Sequence, residues 1–102
     1  MIIYNVTCNV EQEISDEWLK WMIEIHIPEV MDTGIFVSVQ INKVLSIDDS
    51  GETYAIVYSC ESMKDLHKYQ VNFAPILQQK HTDRYGTKVV AFRTLLEEIS
   101  KF

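Results

Sequence analysis

Glycine, proline and cysteine are scarce in this chain of 102 residues, at three, two and two copies, and each shortage closes off a class of function. Gly34, Gly51 and Gly86 stand singly at element boundaries, so no glycine-rich loop can present backbone N–H groups to a phosphate. No Gly-x-Ser-x-Gly elbow is present to expose a hydrolase serine. Cys8 and Cys60 are too few for a disulfide framework, and we read them as reduced, buried, inert thiols. With three histidines and no Cys-x-x-Cys or His-x-x-x-His spacing, no metal site is expected. Basic residues are also short, nine against fifteen acidic, for a net charge of −6. That balance argues against nucleic acid, whose phosphates need neutralising, and against docking on anionic lipid. No apolar run is long enough to span a membrane, and Met1-Ile-Ile-Tyr-Asn-Val lacks the basic start of a signal peptide. We therefore expect a cytoplasmic protein forming one domain over residues 1–102, with no cofactor and no membrane partner.

What is present is regular patterning. Residues 2–10 alternate, with Ile2, Tyr4, Val6, Cys8 and Val10 on one face, as a half-buried strand does. Ser15 or Asp16 is placed to cap a helix running to Thr33-Gly34. On that helix Leu19, Met22, Ile23, His26 and Val30 share a face, with Trp18, Trp21 and Ile25 as a second apolar ridge. Pro28 lacks an N–H and clashes with the carbonyl of Glu24, so a kink or restart is predicted there, and Gly34 supplies the stop. Residues 35–45 and 52–61 alternate again around the turn residues Asp48-Asp49-Ser50-Gly51, which reads as a hairpin. Ser62-x-x-Asp65 resembles a capping box and opens a second helical region along Met63, Leu66, Tyr69, Phe73 and Leu77, continued by His81 and Arg84. Pro75 fits the first turn of a new segment, and Tyr85-Gly86 ends it. A last strand covers residues 87–96, with Val90, Phe92 and Leu96 taken as its helix-facing side. The order β-α-β-β-α-β, with Pro28 and Pro75 in matching positions, is that of a ferredoxin-like α+β sandwich: two helical regions on one face of a four-stranded antiparallel sheet.

The other sheet face then carries Asn5, Thr7, Asn9, Ser38, Gln40, Asn42, Thr53 and Ser59 among Ile3, Phe36, Val57, Val89 and Ala91, with Arg93 as its one charge. Open surfaces normally mix in Lys and Glu. So little charge predicts burial against a second copy across a two-fold axis, giving a homodimer through the sheet. On this reading Arg93 pairs either with a ligand carboxylate inside the barrel or with Glu61 or another acid across the dimer.

Several motifs also resemble a known family. They are Trp18-x-x-Trp21-Met22-x-x-x-His26-Ile27-Pro28, Cys60-Glu61-Ser62-Met63 with Tyr69-Gln70, and Ala74-Pro75-x-Leu77-x-x-x-His81-Thr82-x-Arg84-Tyr85-Gly86, then Ala91-Phe92-Arg93-Thr94-Leu95-Leu96. Together they span nearly the whole chain. The family is a small bacterial one, a domain of unknown function similar in fold to the dimeric α/β-barrel group. The resemblance implies that fold and a dimer, and transfers no catalytic residue.

Both helices of such a sandwich run roughly parallel, which sets His26 and His81 at the same end of the sheet. Read as a site, they are two imidazoles flanking a cleft, one a proton acceptor near neutral pH, with Glu29 or Asp83 as orienting carboxylates. Trp18, Trp21 and Tyr69 would be its apolar walls. Read as structure, each histidine is satisfied near a helix end and the tryptophans are core. Three functions compete. The first is a dimer binding a small apolar or aromatic molecule in the helix–sheet cleft. The second is a cofactor-independent monooxygenase or isomerase for an activated ring or lactone, with His26 or His81 as base and Arg93 or Asn5 holding substrate oxygen. The third, by fold analogy alone, is haem binding through His81.

Overall fold

The alternation of residues 2–10 builds β1 (Ile2–Val10), the strand on which the sheet is centred. Its neighbours are β3 (Glu52–Cys60) and β4 (Val89–Glu97), both antiparallel to it, and β2 (Ser38–Lys43) pairs with the far side of β3. The computed structural model describes residues 1–45 and 50–102, and the sheet order is β2-β3-β1-β4. Asp48 and Asp49 of the expected turn lie outside the described residues. Tyr4, Cys8 and Val10 point into the core together with Tyr54, Ile56, Tyr58 and Cys60. The alternation was the right guide for these two strands.

The first helical region starts through a 3-10 turn at Gln12–Ile14, followed by α1 (Ser15–Trp21), a π-helical turn (Met22–His26) and α2 (Ile27–Met31). Neither Ser15 nor Asp16 caps it; Ile14 holds the N-cap position and Ser15 is buried. The π turn sits immediately before Pro28. A wider turn there accommodates a ring that would strike the preceding carbonyls and a missing N–H. The extra residue also rotates the helix. Trp18, Met22, Ile27 and Val30 are buried, while Ile23 and Ile25 are about half exposed, at 51% and 47%. The two-ridge reading of this helix is corrected accordingly.

In the second region Ser62 Oγ accepts from the backbone N–H of Asp65 at 3.1 Å and starts α3 (Met63–Asn72). A break at Phe73 separates it from α4 (Ala74–Tyr85), which carries Pro75 in its first turn. Gly86, at φ +56°, closes α4 in the left-handed region that favours glycine.

Two placements differ from expectation. On β4, Val89 stands opposite Val10, Ala91 opposite Cys8, Arg93 opposite Val6 and Leu95 opposite Tyr4. These residues therefore face the helices, and Val90, Phe92, Thr94 and Leu96 face away. Phe36 is buried against Tyr4, Tyr58 and Tyr69 instead of lying on the outer face, because the chain bends at Val37 before β2 begins. Cys8 pairs with Tyr54 and Cys60 with Ile2, so the thiols lie six residues apart along β1, about 20 Å at ~3.3 Å per residue.

Candidate functional site

The layers do not close completely where α4 and the π turn pass over β1 and β4. A cavity of about 250 Å³ remains, lined by Val6 and Cys8 from β1, Met22 and His26 from the π turn, Gln78, His81 and Thr82 from α4, Gly86, and Val89, Ala91 and Arg93 from the end of the sheet. A recess of about 40 Å³ continues beneath it, reaching Tyr4, Val30, Ile56, Tyr58 and Tyr69. Among the described residues, no aspartate or glutamate lines either space.

The two histidines meet here, with ring centroids 5.9 Å apart. His81 is held by a bond that joins distant parts of the chain: the indole Nε1–H of Trp18 donates to its Nε2 at 2.9 Å. An indole nitrogen only donates, so Nε2 carries the lone pair and the ring proton of neutral His81 is on Nδ1. Burial lowers the His81 pKa, and Arg93 adds to the effect. His26 stacks on Trp21, at 5.2 Å and 29° between planes, and its buried Nδ1 has no hydrogen-bond partner among the described residues. Burial first, then His81, Lys80 and Arg93, push the His26 pKa down to about 4 against the opposing pull of Glu29. Both imidazoles are thus neutral at pH 7, so His26 is a weaker base than a proton acceptor at neutral pH requires.

Arg93 supplies the cavity's one cationic side chain. Its Nε donates to the Tyr4 hydroxyl at 2.9 Å, which orients the guanidinium, and no carboxylate pairs with it among the described residues. Cys8, also on the wall, is pushed up to about 11 by burial and stays a thiol.

The other expected site residues fall elsewhere. Trp18 is fully buried and reaches the cavity only through His81. Trp21 stands behind His26, packed edge-on against Tyr85 and covered by the Arg84 guanidinium at 5.5 Å. Tyr69 borders only the recess. Asn5 lies on the opposite face of the sheet, donating to Thr7 at 3.3 Å. Glu29 binds Lys80 at 2.8 Å and Asp83 accepts from Gln79 at 2.7 Å, so neither orients an imidazole. Gln78 and Thr82 were missed, although Gln78 stands three residues before His81 and Thr82 four after Gln78, spacings that make helical neighbours.

Topology and cavity together define a ferredoxin-like sandwich with a helix–sheet cavity at one end. Within that class the chain belongs to the family described as Domain of unknown function (DUF4286), whose pattern matches residues 1–99. None of the curated proteins matches it in sequence. Among solved structures it is similar to a variant of MhuD with two manganese protoporphyrin IX molecules bound per active site, at TM-score 0.74 and 14% identity, covering 100% of this chain and 98% of that one. A putative antibiotic biosynthesis monooxygenase from Deinococcus radiodurans gives 0.72 and 14%, covering 100% and 96%. A dimeric ferredoxin-like protein from an uncultured marine organism gives 0.66 and 14%, covering 99% and 96%. At such identities the likeness is one of fold.

Proposed function

We propose that this protein is a homodimer that binds a small aromatic or apolar molecule in the helix–sheet cavity. The observation that carries the reading is the buried Nδ1 of His26, a cavity-lining residue, which has no partner among the described residues. Buried polar atoms are nearly always satisfied, and a ligand is one way to satisfy this one. The size suits the proposal. A dry cavity of about 150 Å³ accepts benzene, so about 250 Å³ suits a substituted single ring or a small fused one.

The dimer reading rests on the outer sheet face. The β4 register removes Arg93 from it, and its strand positions are then Ile3, Asn5, Thr7 and Asn9, with Ser38, Gln40 and Asn42, Thr53, Ala55, Val57 and Ser59, and Val90, Phe92, Thr94 and Leu96. None is charged, and Val90, Phe92 and Leu96 are exposed at 64%, 61% and 48%. An identical uncharged face is the partner most easily matched to it across a two-fold axis.

A cofactor-independent oxygenase or isomerase is the second reading, and the same orphan atom supports it. His81 holds its proton on Nδ1 while Trp18 occupies Nε2, so the acceptor role falls to His26 Nδ1, with Arg93 on the developing oxyanion. A ligand that draws charge toward His26 would raise its basicity. Haem bound through His81 does not fit these residues. The Nε2 lone pair that would ligate iron accepts the Trp18 proton.

Native mass spectrometry of freshly purified protein tests both halves of the proposal. A dimer mass is expected, with an additional small mass released by mild activation. A species of one chain alone, at micromolar concentration and with nothing bound, would overturn it.

A further inference from the structure

The cavity carries a chemical selectivity beyond its size. In a chain of net charge −6, its lining among the described residues contains no carboxylate and one guanidinium. That guanidinium is only partly used. Tyr4 takes Nε–H, which fixes the plane of the fork and leaves the terminal nitrogens free of any carboxylate among the described residues. A fork held in this way matches the two oxygens of a carboxylate. Val6, Met22 and Ala91 supply apolar surface, beside the polar side chains of Gln78, His81 and Thr82. The charged and titratable groups that bear on His26 come from every neighbouring element: His81 and Lys80 from α4, Arg93 from β4, and Glu29 from α2, where Lys80 holds it at 2.8 Å.

We propose, building on the cavity as a ligand site, that its ligand is the anion of an aromatic carboxylic acid. The carboxylate bridges the terminal nitrogens of Arg93 and takes a hydrogen bond from Nδ1 of His26, and the ring lies against Val6, Met22 and Ala91. His26 makes this bond as the neutral tautomer with its proton on Nδ1, so no change of net protonation is required. The anion enters a wall from which acidic side chains are absent, and it satisfies the orphan nitrogen.

Isothermal titration with cinnamate and with its neutral counterpart cinnamamide tests the inference. The intact protein should bind cinnamate about 10- to 100-fold more tightly than the amide, the range of a charge-assisted bidentate contact. In Arg93→Gln that preference should fall to about threefold or less. Arg93→Lys, which keeps the charge and loses the fork, should retain a reduced preference, and it carries the test if the glutamine variant does not fold. Equal or tighter binding of the amide by the intact protein would overturn the anion selectivity while leaving the cavity reading in place. So would an undiminished preference in both variants. Binding of neither probe at millimolar concentration would remove the cavity reading itself.

Discussion

Replacing His26 by glutamine measures how strongly the fold holds that imidazole neutral. Burial, reinforced by His81, sets its folded pKa near 4, against 6.5 for the unfolded chain. Between those values the unfolded chain binds more protons than the folded one, so stability rises with pH across the window. His26's contribution is fully present above pH 6.5 and is lost as pH falls through about 4. At about 1.4 kcal/mol per pH unit, the window is worth roughly 3 kcal/mol, a large part of the 5–15 kcal/mol that stabilises a typical domain. The assay is urea denaturation from pH 4 to pH 8 at one fixed protein concentration, since a dimer's stability depends on it. Carboxylates titrate in both proteins, so they cancel when the glutamine curve is subtracted from that of the intact protein. The difference should grow by roughly 3 kcal/mol between pH 4 and pH 6.5 and then level off. His81 is lowered in the same direction, so His81→Gln should give a difference of the same sign. Parallel curves for the His26 variant would refute the reasoning, because they would mean the imidazole charges as easily folded as unfolded.

Three further outcomes follow from the same geometry. Trp18→Phe removes the N–H that occupies Nε2 of His81 and part of a fully buried side chain. It should cost about 2–3 kcal/mol in denaturant unfolding, and the His81 ring resonance should titrate at higher pH in NMR; an unmoved titration would deny the bond its role. A thiol reagent at pH 7 should react with Cys8 and Cys60 only as the protein unfolds, since both are buried and both have raised pKa values. Fast labelling of either in the native protein would contradict that. Haemin added to purified protein should leave its Soret band where it lies free in solution, and a shifted band abolished by His81→Ala would reinstate axial ligation.

Much of this architecture is written locally in the chain. β1 and β3 alternate cleanly, Ser62 and Asp65 mark the start of α3, and the two prolines mark where each helical region is interrupted. The pairing of His26 with His81 was also accessible, because two parallel helices over one sheet bring corresponding ends together. The strand β4 was not legible in the same way. Val89-Val90-Ala91-Phe92 is apolar in both phases, so a period of two cannot say which phase faces inward. Only pairing with β1 decides it, Val89 against Val10 and Ala91 against Cys8. The π turn was hidden for a related reason: one inserted residue re-phases a helix without altering its composition, which is how Trp18 moved from a side ridge to the centre of the core. The bond from Trp18 to His81 spans 63 positions and has no local signature.

That single choice of phase on β4 assigns two tasks to two faces, and a pair of substitutions separates them. Facing inward, Arg93 brings a cation to the cavity wall. Facing outward, Phe92 takes the place a charge would otherwise have held on the proposed dimer surface. Phe92→Lys puts an ammonium into a face with no charged strand residue to receive it. Burying an unpaired polar group costs at least ~2 kcal/mol, and two-fold symmetry makes every substitution count in both protomers. The dimer should weaken by ~4 kcal/mol, about a thousandfold in Kd. Sedimentation velocity across a dilution series reads that change directly, while titration with cinnamate at concentrations where the protein remains folded should give an affinity close to that of the parent. Arg93→Gln should behave in the opposite way, keeping the dimer and losing the preference for the acid. A lysine at position 92 that leaves the dimer intact would mean that the subunits meet elsewhere, and the missing charge on the sheet would then need another cause.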